Sequence, residues 1–117
     1  MKYKIIKQSK KEIELEEMEE ETIQQIPAKT IIWGEIADEK MEWEEAKKWC
    51  KEQGGRLPTR VELLQAFEAK VEGFKEGFYW SSTEFGSYDA WYVYFSNGYV
   101  NYGYKNYGNY VRCVRDK

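Results

Sequence analysis

The sequence predicts an α+β fold, and three observations carry that prediction. Two segments in the middle of the chain, 43–54 and 60–71, have helical periodicity with matching end signals. The last third alternates apolar and polar residues between Asn-Gly and Gly-rich turns, as strands do. A length of 117 residues, 42% hydrophobic and 33% charged, suits one domain with its own core and excludes a disordered chain.

Residues 2–7 and 12–16 read as two short strands around the polar turn 8–11. The acidic run at 16–21 is a solvated loop or face, the common fate of such runs, and is assigned no chemistry. Thr30-Ile31-Ile32-Trp33 is β-branched and aromatic and is expected to enter the main sheet.

The first helix places Trp43, Ala46, Trp49 and Cys50 on one side, with acids near its start and lysines toward its end, as the helix dipole prefers. Gly54 is a natural stop. The two tryptophans could form a binding patch, but at this spacing they are read as core. The second helix starts at Arg60, where Thr59 and Glu62 match a capping box. Its buried stripe is expected at Val61, Leu64, Phe67 or Glu68, and Val71, with Leu63 beside it. Arg56 and Arg60 could hold an anion, but a structural ion pair or bonds to loop carbonyls are the favoured reading.

After a glycine-punctuated loop at 73–77, residues 78–84 form a strand, and 110–115 the last one. Between them lies a hairpin. Asn97-Gly98 suits a two-residue type I′ turn, which sets Ser96 opposite Tyr99, Tyr94 opposite Asn101 and Trp91 opposite Tyr104. One face then carries Trp91, Val93, Phe95, Val100, Tyr102 and Tyr104 and is expected to be core. The other carries Tyr92, Tyr94, Ser96, Tyr99, Asn101 and Gly103, and has no structural reason to be rich in tyrosine.

Charge and residue usage exclude several functions. Net charge is −3, and residues 73–117 hold 4 acidic against 5 basic side chains, without the Lys/Arg surplus that a nucleic-acid binder needs. Histidine is absent, which removes the commonest general base and metal ligand. Two cysteines alone cannot make a zinc site. Cys50 and Cys113 could close a long loop by a disulfide or, in a reducing compartment, remain a buried thiol pair. No apolar run is long enough for a membrane span, and no signal peptide is visible at the start.

Five motifs in order carry a resemblance: Trp43-Glu44-Glu45-Ala46; Gly55-Arg56-Leu57-Pro58-Thr59; Tyr79-Trp80-Ser81-Ser82-Thr83-Glu84; Ala90-Trp91-Tyr92-Val93 with Phe95-Ser96-Asn97-Gly98; and Val111-Arg112-Cys113-Val114-Arg115. Over about residues 30–116 the chain resembles a bacterial and viral family of C-type-lectin-like domains, typified by the C-terminal domain of a Legionella collagen-like adhesin. The resemblance implies a C-type lectin fold: two helices packed on a small twisted antiparallel sheet, termini brought together, and a loop-rich ligand face. It also implies that Cys50 lies near Cys113, where lectin-like domains often have a disulfide. Residues 1–29 are then an N-terminal extension, a short β-hairpin and acidic loop, and 30–117 the lectin-like domain. The expected location is cytoplasmic or virion-associated.

Similar domains serve as variable proteins of diversity-generating retroelements, in which adenines of the C-terminal coding segment are rewritten. Asparagine codons are the usual template, and tyrosine lies one base away. Nine of the ten tyrosines here fall at or after Tyr79. The resemblance therefore implies a receptor-type binding protein with a variable surface at Tyr88, Tyr92, Tyr94, Ser96, Tyr99, Asn101, Tyr104, Asn106, Tyr107 and Asn109. Tyrosine in such a surface supplies amphipathic contact area, and Ser, Gly and Asn supply adaptable hydrogen bonds. Tyr104 is its weak member, since the register turns it inward. The expected partner is a protein or a carbohydrate. The calcium-site signatures Glu-Pro-Asn or Gln-Pro-Asp with Trp-Asn-Asp are missing, the only prolines being Pro27 and Pro58, so binding is expected to be calcium-independent with no cofactor.

The other readings are a fixed adhesin, a structural virion module, and an enzyme. Formylglycine-generating oxidases share the lectin-like fold but need a reactive cysteine pair in a longer chain. A glycosidase pair of Glu84 and Asp89 has only proximity in sequence behind it. The chain is therefore expected not to be an enzyme.

Overall fold

The computed structural model describes residues 30–117; the hairpin and acidic loop expected within 1–29 lie outside the described residues. In chain order the elements are β1 (Ile31–Ile36), α1 (Trp43–Glu52), α2 (Arg60–Glu68), β2 (Phe78–Phe85), β3 (Asp89–Tyr94), β4 (Tyr99–Tyr104) and β5 (Arg112–Asp116). Strand β1 does not join the main sheet as expected. It pairs antiparallel with β5, Trp33 opposite Val114, as a separate two-stranded sheet that brings the ends of the described domain together. The main sheet is the antiparallel meander β2-β3-β4.

Helix α1 buries Trp43, Ala46 and Cys50, as its spacing predicts. At its start the Glu42 N–H donates to Glu45 Oε1 at 3.3 Å. It ends where expected, with the Gly54 and Gly55 amides donating back to the Lys51 and Cys50 carbonyls, the paired bonds of a Schellman motif. The Trp43 indole N–H donates to the Ser81 carbonyl at 2.8 Å, which ties the helix to β2.

Helix α2 has the predicted capping box: Thr59 Oγ1 accepts from the Glu62 amide at 3.1 Å, and Glu62 Oε1 accepts from the Thr59 amide at 2.9 Å. Its buried stripe differs from the expected one. Leu63 and Ala66 point into the core, while Val61 is 55% exposed. The Glu62 carboxylate is fixed by the cap and by Arg56, which sets the helix rotation with Leu63 inward; Val61, two residues and so roughly 200° away, faces solvent.

Arg56 has the structural role. Its guanidinium grips Glu62 at 2.8 Å and Asp116 at 3.0 Å, joining α2 to the last strand. These bonds push the arginine further up in pKa and hold the Glu62 carboxyl below its ordinary range.

The hairpin register departs from the predicted one by two residues. Tyr94 faces Tyr99, Tyr92 faces Asn101, Trp91 faces Tyr102 and Asp89 faces Tyr104. The loop therefore holds four residues, 95–98. Asn97 does not adopt a positive φ; its side-chain oxygen instead accepts the Tyr99 amide at 2.9 Å. Gly98 alone is left-handed, φ +78°, and its amide donates to the Tyr94 carbonyl at 3.0 Å. Gly98 also lies so close to Phe67 that a Cβ there would meet the ring at 2.8 Å.

The reason for the longer loop is Phe95. It is buried, stacks on Phe74 at 3.9 Å, meets Phe67 and Tyr79 edge-on, and its amide donates to Gly77. Burying a phenylalanine is worth ~1.5–3 kcal/mol and each ring pair ~0.5–1.5 more, against ~0.2–1 for each cross-strand pair given up. Because two is an even shift, every side chain keeps its predicted face.

Both sheet faces carry core. Trp80 and Ala90 join Trp43, Cys50 and Cys113 in one cluster; Tyr79 and Val93, on the opposite face by strand alternation, join Leu63, Ala66 and Phe95 in the other. Cys50 and Cys113 are bonded as a disulfide between α1 and β5.

Candidate ligand-binding site

The face carrying Tyr92, Tyr94, Tyr99, Asn101 and Gly103 forms the body of the site. Tyr94 and Tyr92 are half-buried, and both pack on Phe78, Tyr94 stacked at 4.5 Å and Tyr92 edge-on at 5.1 Å. The Tyr94 hydroxyl donates to Glu76 Oε2 at 2.9 Å, and this bond raises the phenol's pKa. Tyr92 rests against Trp80, so its ring is anchored to core; burial, with Tyr99 and Tyr107 nearby, raises its pKa. Tyr99 is half-exposed, and its hydroxyl accepts from Asn101 Nδ2 at 2.7 Å.

Gly103 makes room on this face. A Cβ there would meet the Tyr92 ring at 3.2 Å and the Tyr107 ring at 3.5 Å, so the bare backbone lets Tyr107 fold back over the sheet toward Tyr92. Tyr107 also meets Tyr104 edge-on at 5.6 Å. Tyr104 is not turned inward: it pairs with Asp89 at the strand end and is exposed. With Tyr88, Lys105, Asn106 and Ser87 it lines an open cavity of about 390 Å³.

Lys105 is the fixed point beneath that cavity. Its ammonium donates to Glu84 Oε2 at 2.7 Å and to the Ser87 carbonyl at 3.0 Å, and sits 4.4 Å from the Trp43 ring centroid. Its backbone joins Tyr88 and Trp43. The residues on either side, Tyr104 and Asn106, are exposed.

Two further proposed positions sit differently from expectation. Ser96 belongs to the four-residue loop and is exposed there, not paired with Tyr99. Asn109 is not a surface residue: its backbone exchanges hydrogen bonds with Met41, which leaves it 9% exposed at the wall of a second cavity. The supposed core face is core only at Val93 and Phe95. Tyr102 is exposed, and Phe85, Trp91 and Tyr102 cover one another, with the guanidinium of Arg60, the first residue of α2, 4.4 Å from the Trp91 ring.

Phe78 belongs to the tyrosine face and was not singled out in the sequence. The available signal was alternation with Tyr79 and Trp80, both buried. Glu84 and Asp89 do not form a pair: Glu84 faces Ala90 and Asp89 faces Phe85, so they leave the sheet on opposite sides, and Glu84 is held by Lys105. Among the described residues no three His, Cys, Asp or Glu side chains converge as a metal site. Nor is any described helix long and apolar enough to cross a membrane.

Two helices on small antiparallel sheets, with joined ends and an aromatic, hydrogen-bonding face, define a C-type-lectin-like domain. The chain matches the Lcl C-terminal domain family over residues 22–115 and belongs to it. That family is one of lectin-like adhesin domains, not of enzymes. No curated protein matches the chain.

Proposed function

We propose that the domain is a receptor-type binding module whose ligand, a protein or a carbohydrate, is taken on the tyrosine face, and that this surface is diversified by a retroelement. The observation that supports it most is the separation of roles along the hairpin. Tyr99 and Tyr107 stand half-exposed on a face that backbone pairing already holds, while Val93 and Phe95, within a few residues, carry core. A sheet face in water does not need such rings, and exposed aromatic clusters mark interaction surfaces. The retroelement part of the proposal rests on the concentration of Tyr and Asn codons in this stretch.

Tyr99→Ala and Tyr107→Ala should each change the unfolding free energy by no more than ~0.5 kcal/mol, the usual range at exposed positions, while abolishing binding of peptides or glycans selected against the parent. A loss of several kcal/mol in urea melts would make the rings structural. Diversification is checked by sequencing this gene across its natural population. Substitutions should concentrate at adenines in codons of outward positions such as Tyr88, Tyr99 and Tyr107, with Trp80, Val93 and Cys113 constant. Changes spread evenly over both sets would leave a fixed binding module.

A further inference from the structure

The sheet face opposite the tyrosines carries a second aromatic patch. Cross-strand partners share a face, so Asp89 and Phe85 lie on one side of the sheet with Trp91 and Tyr102. Toward Val93 and Phe95 this side is buried with Leu63 and Ala66 of α2. Toward Phe85 it is open: Phe85 and Tyr102 stack at 3.9 Å, and both stay exposed. Tryptophan, tyrosine and arginine are the residues that most often anchor protein interfaces.

The second observation is two unpaired charges at this patch. The Arg60 backbone amide donates to Thr83 Oγ1 at 3.0 Å, but its guanidinium, 4.4 Å from the Trp91 ring centroid, has no carboxylate within ion-pair distance among the described residues. Asp89 is the reverse case. Its Oδ1 is buried with no hydrogen-bond partner among the described residues, and its other oxygen, equally without a donor there, is the one open to the surface. Charges nearby are paired: Lys105 with Glu84, and Arg56 with Glu62 and Asp116. A carboxylate partly out of water, with no bond to replace its lost hydration, gains more from a cation than a solvated one does.

We propose that this patch is a self-association surface whose occupant is a second copy of this chain in a two-fold dimer: the aromatic patches of the two copies meet, and Arg60 of each copy pairs with Asp89 of the other. Self-complementarity selects the occupant. In a two-fold interface residue i meets j while j meets i, so one cation and one anion on a single patch pair twice. A partner of one charge sign would satisfy one of the two groups and be repelled by the other. Association on this side leaves Tyr92 and Asn101, which point to the other side of the sheet, outside the contact. The dimer would therefore present the tyrosine face twice, and the inference does not depend on what that face binds.

The test is sedimentation equilibrium of the full chain. The parent should form a concentration-dependent dimer, and Arg60→Glu and Asp89→Arg alone should each weaken it at least roughly a hundredfold, a tenfold loss at each of two pairs. An equimolar mixture of the two variants should recover a dimer near the parent's affinity, because the introduced glutamate then meets the introduced arginine while the native Arg60 meets the native Asp89. Tyr99→Ala, on the other face, should leave association unchanged. Should either reversal unfold the chain, Arg60→Gln and Asp89→Asn carry the test, each with a loss of at least roughly tenfold. A parent that stays monomeric up to roughly 1 mM would overturn the proposal and leave the patch to a different partner. So would a dimer that neither variant weakens, or a mixture that associates no better than its components.

Discussion

Replacing Cys50 and Cys113 together by alanine should lower the unfolding free energy by about 4 kcal/mol, the cost of releasing a closed loop of this size in the chain-entropy model. The bond spans 63 residues and encloses α1's last turn, all of α2 and the whole meander, so four of the seven described elements lie wholly inside the loop that it closes. Both cysteines are in the core. Urea melts with and without reductant check this. The parent's midpoint should fall in reductant to that of the double variant, and the variant's midpoint should not move. A parent midpoint indifferent to reductant would show that packing of α1 on β5 alone holds the two elements.

Arg112→Ala should cost about 3 kcal/mol, the scale of two hydrogen bonds from a charged donor less the desolvation recovered. The guanidinium is buried, with Nε donating to the Gly34 carbonyl at 2.6 Å and Nη1 to the Glu72 carbonyl at 2.9 Å. It lies 4.5 Å from the Phe74 ring, has no carboxylate within ion-pair distance among the described residues, and burial lowers its pKa. Arg112→Lys should be nearly as damaging, since an ammonium cannot reach two divergent carbonyls as a planar fork does. Besides the lower midpoint, backbone amides of residues 72–77 should exchange faster, because Arg112 is what pins that loop to β1 and β5. A lysine variant within 0.5 kcal/mol of the parent would reduce the residue to a stack on Phe74.

That loop carries Lys75 and Glu76 beside the tyrosine face, and nothing local in residues 69–77 shows that an arginine some forty residues later holds it. The same limit explains what could be read from the sequence and what could not. The caps of both helices and the alternation of the hairpin are local chemistry, and Thr59 with Glu62, Gly54 and the Tyr92/Val93 alternation were legible. The four-residue loop was not, because it depends on Phe95 meeting Phe74 and Gly77. The rotation of α2 depends on Arg56 reaching Glu62, and the burial of Asn109 on a bridge to Met41. Of the proposed binding face, the row on β3 and β4 could be anticipated, since strand periodicity assigns it. The fold-back of Tyr107 over Gly103 could not, since only the folded chain brings that ring to the sheet.

The hairpin has an inheritance of its own. Lengthening or shortening the 95–98 loop by two residues moves the pairing but returns each ring to the side it came from, whereas a change of one would carry the tyrosines into the core and Val93 into water. A lineage can remodel the tip of the hairpin while keeping the same tyrosine face, provided that the pairing of the two strands does not slip by one residue.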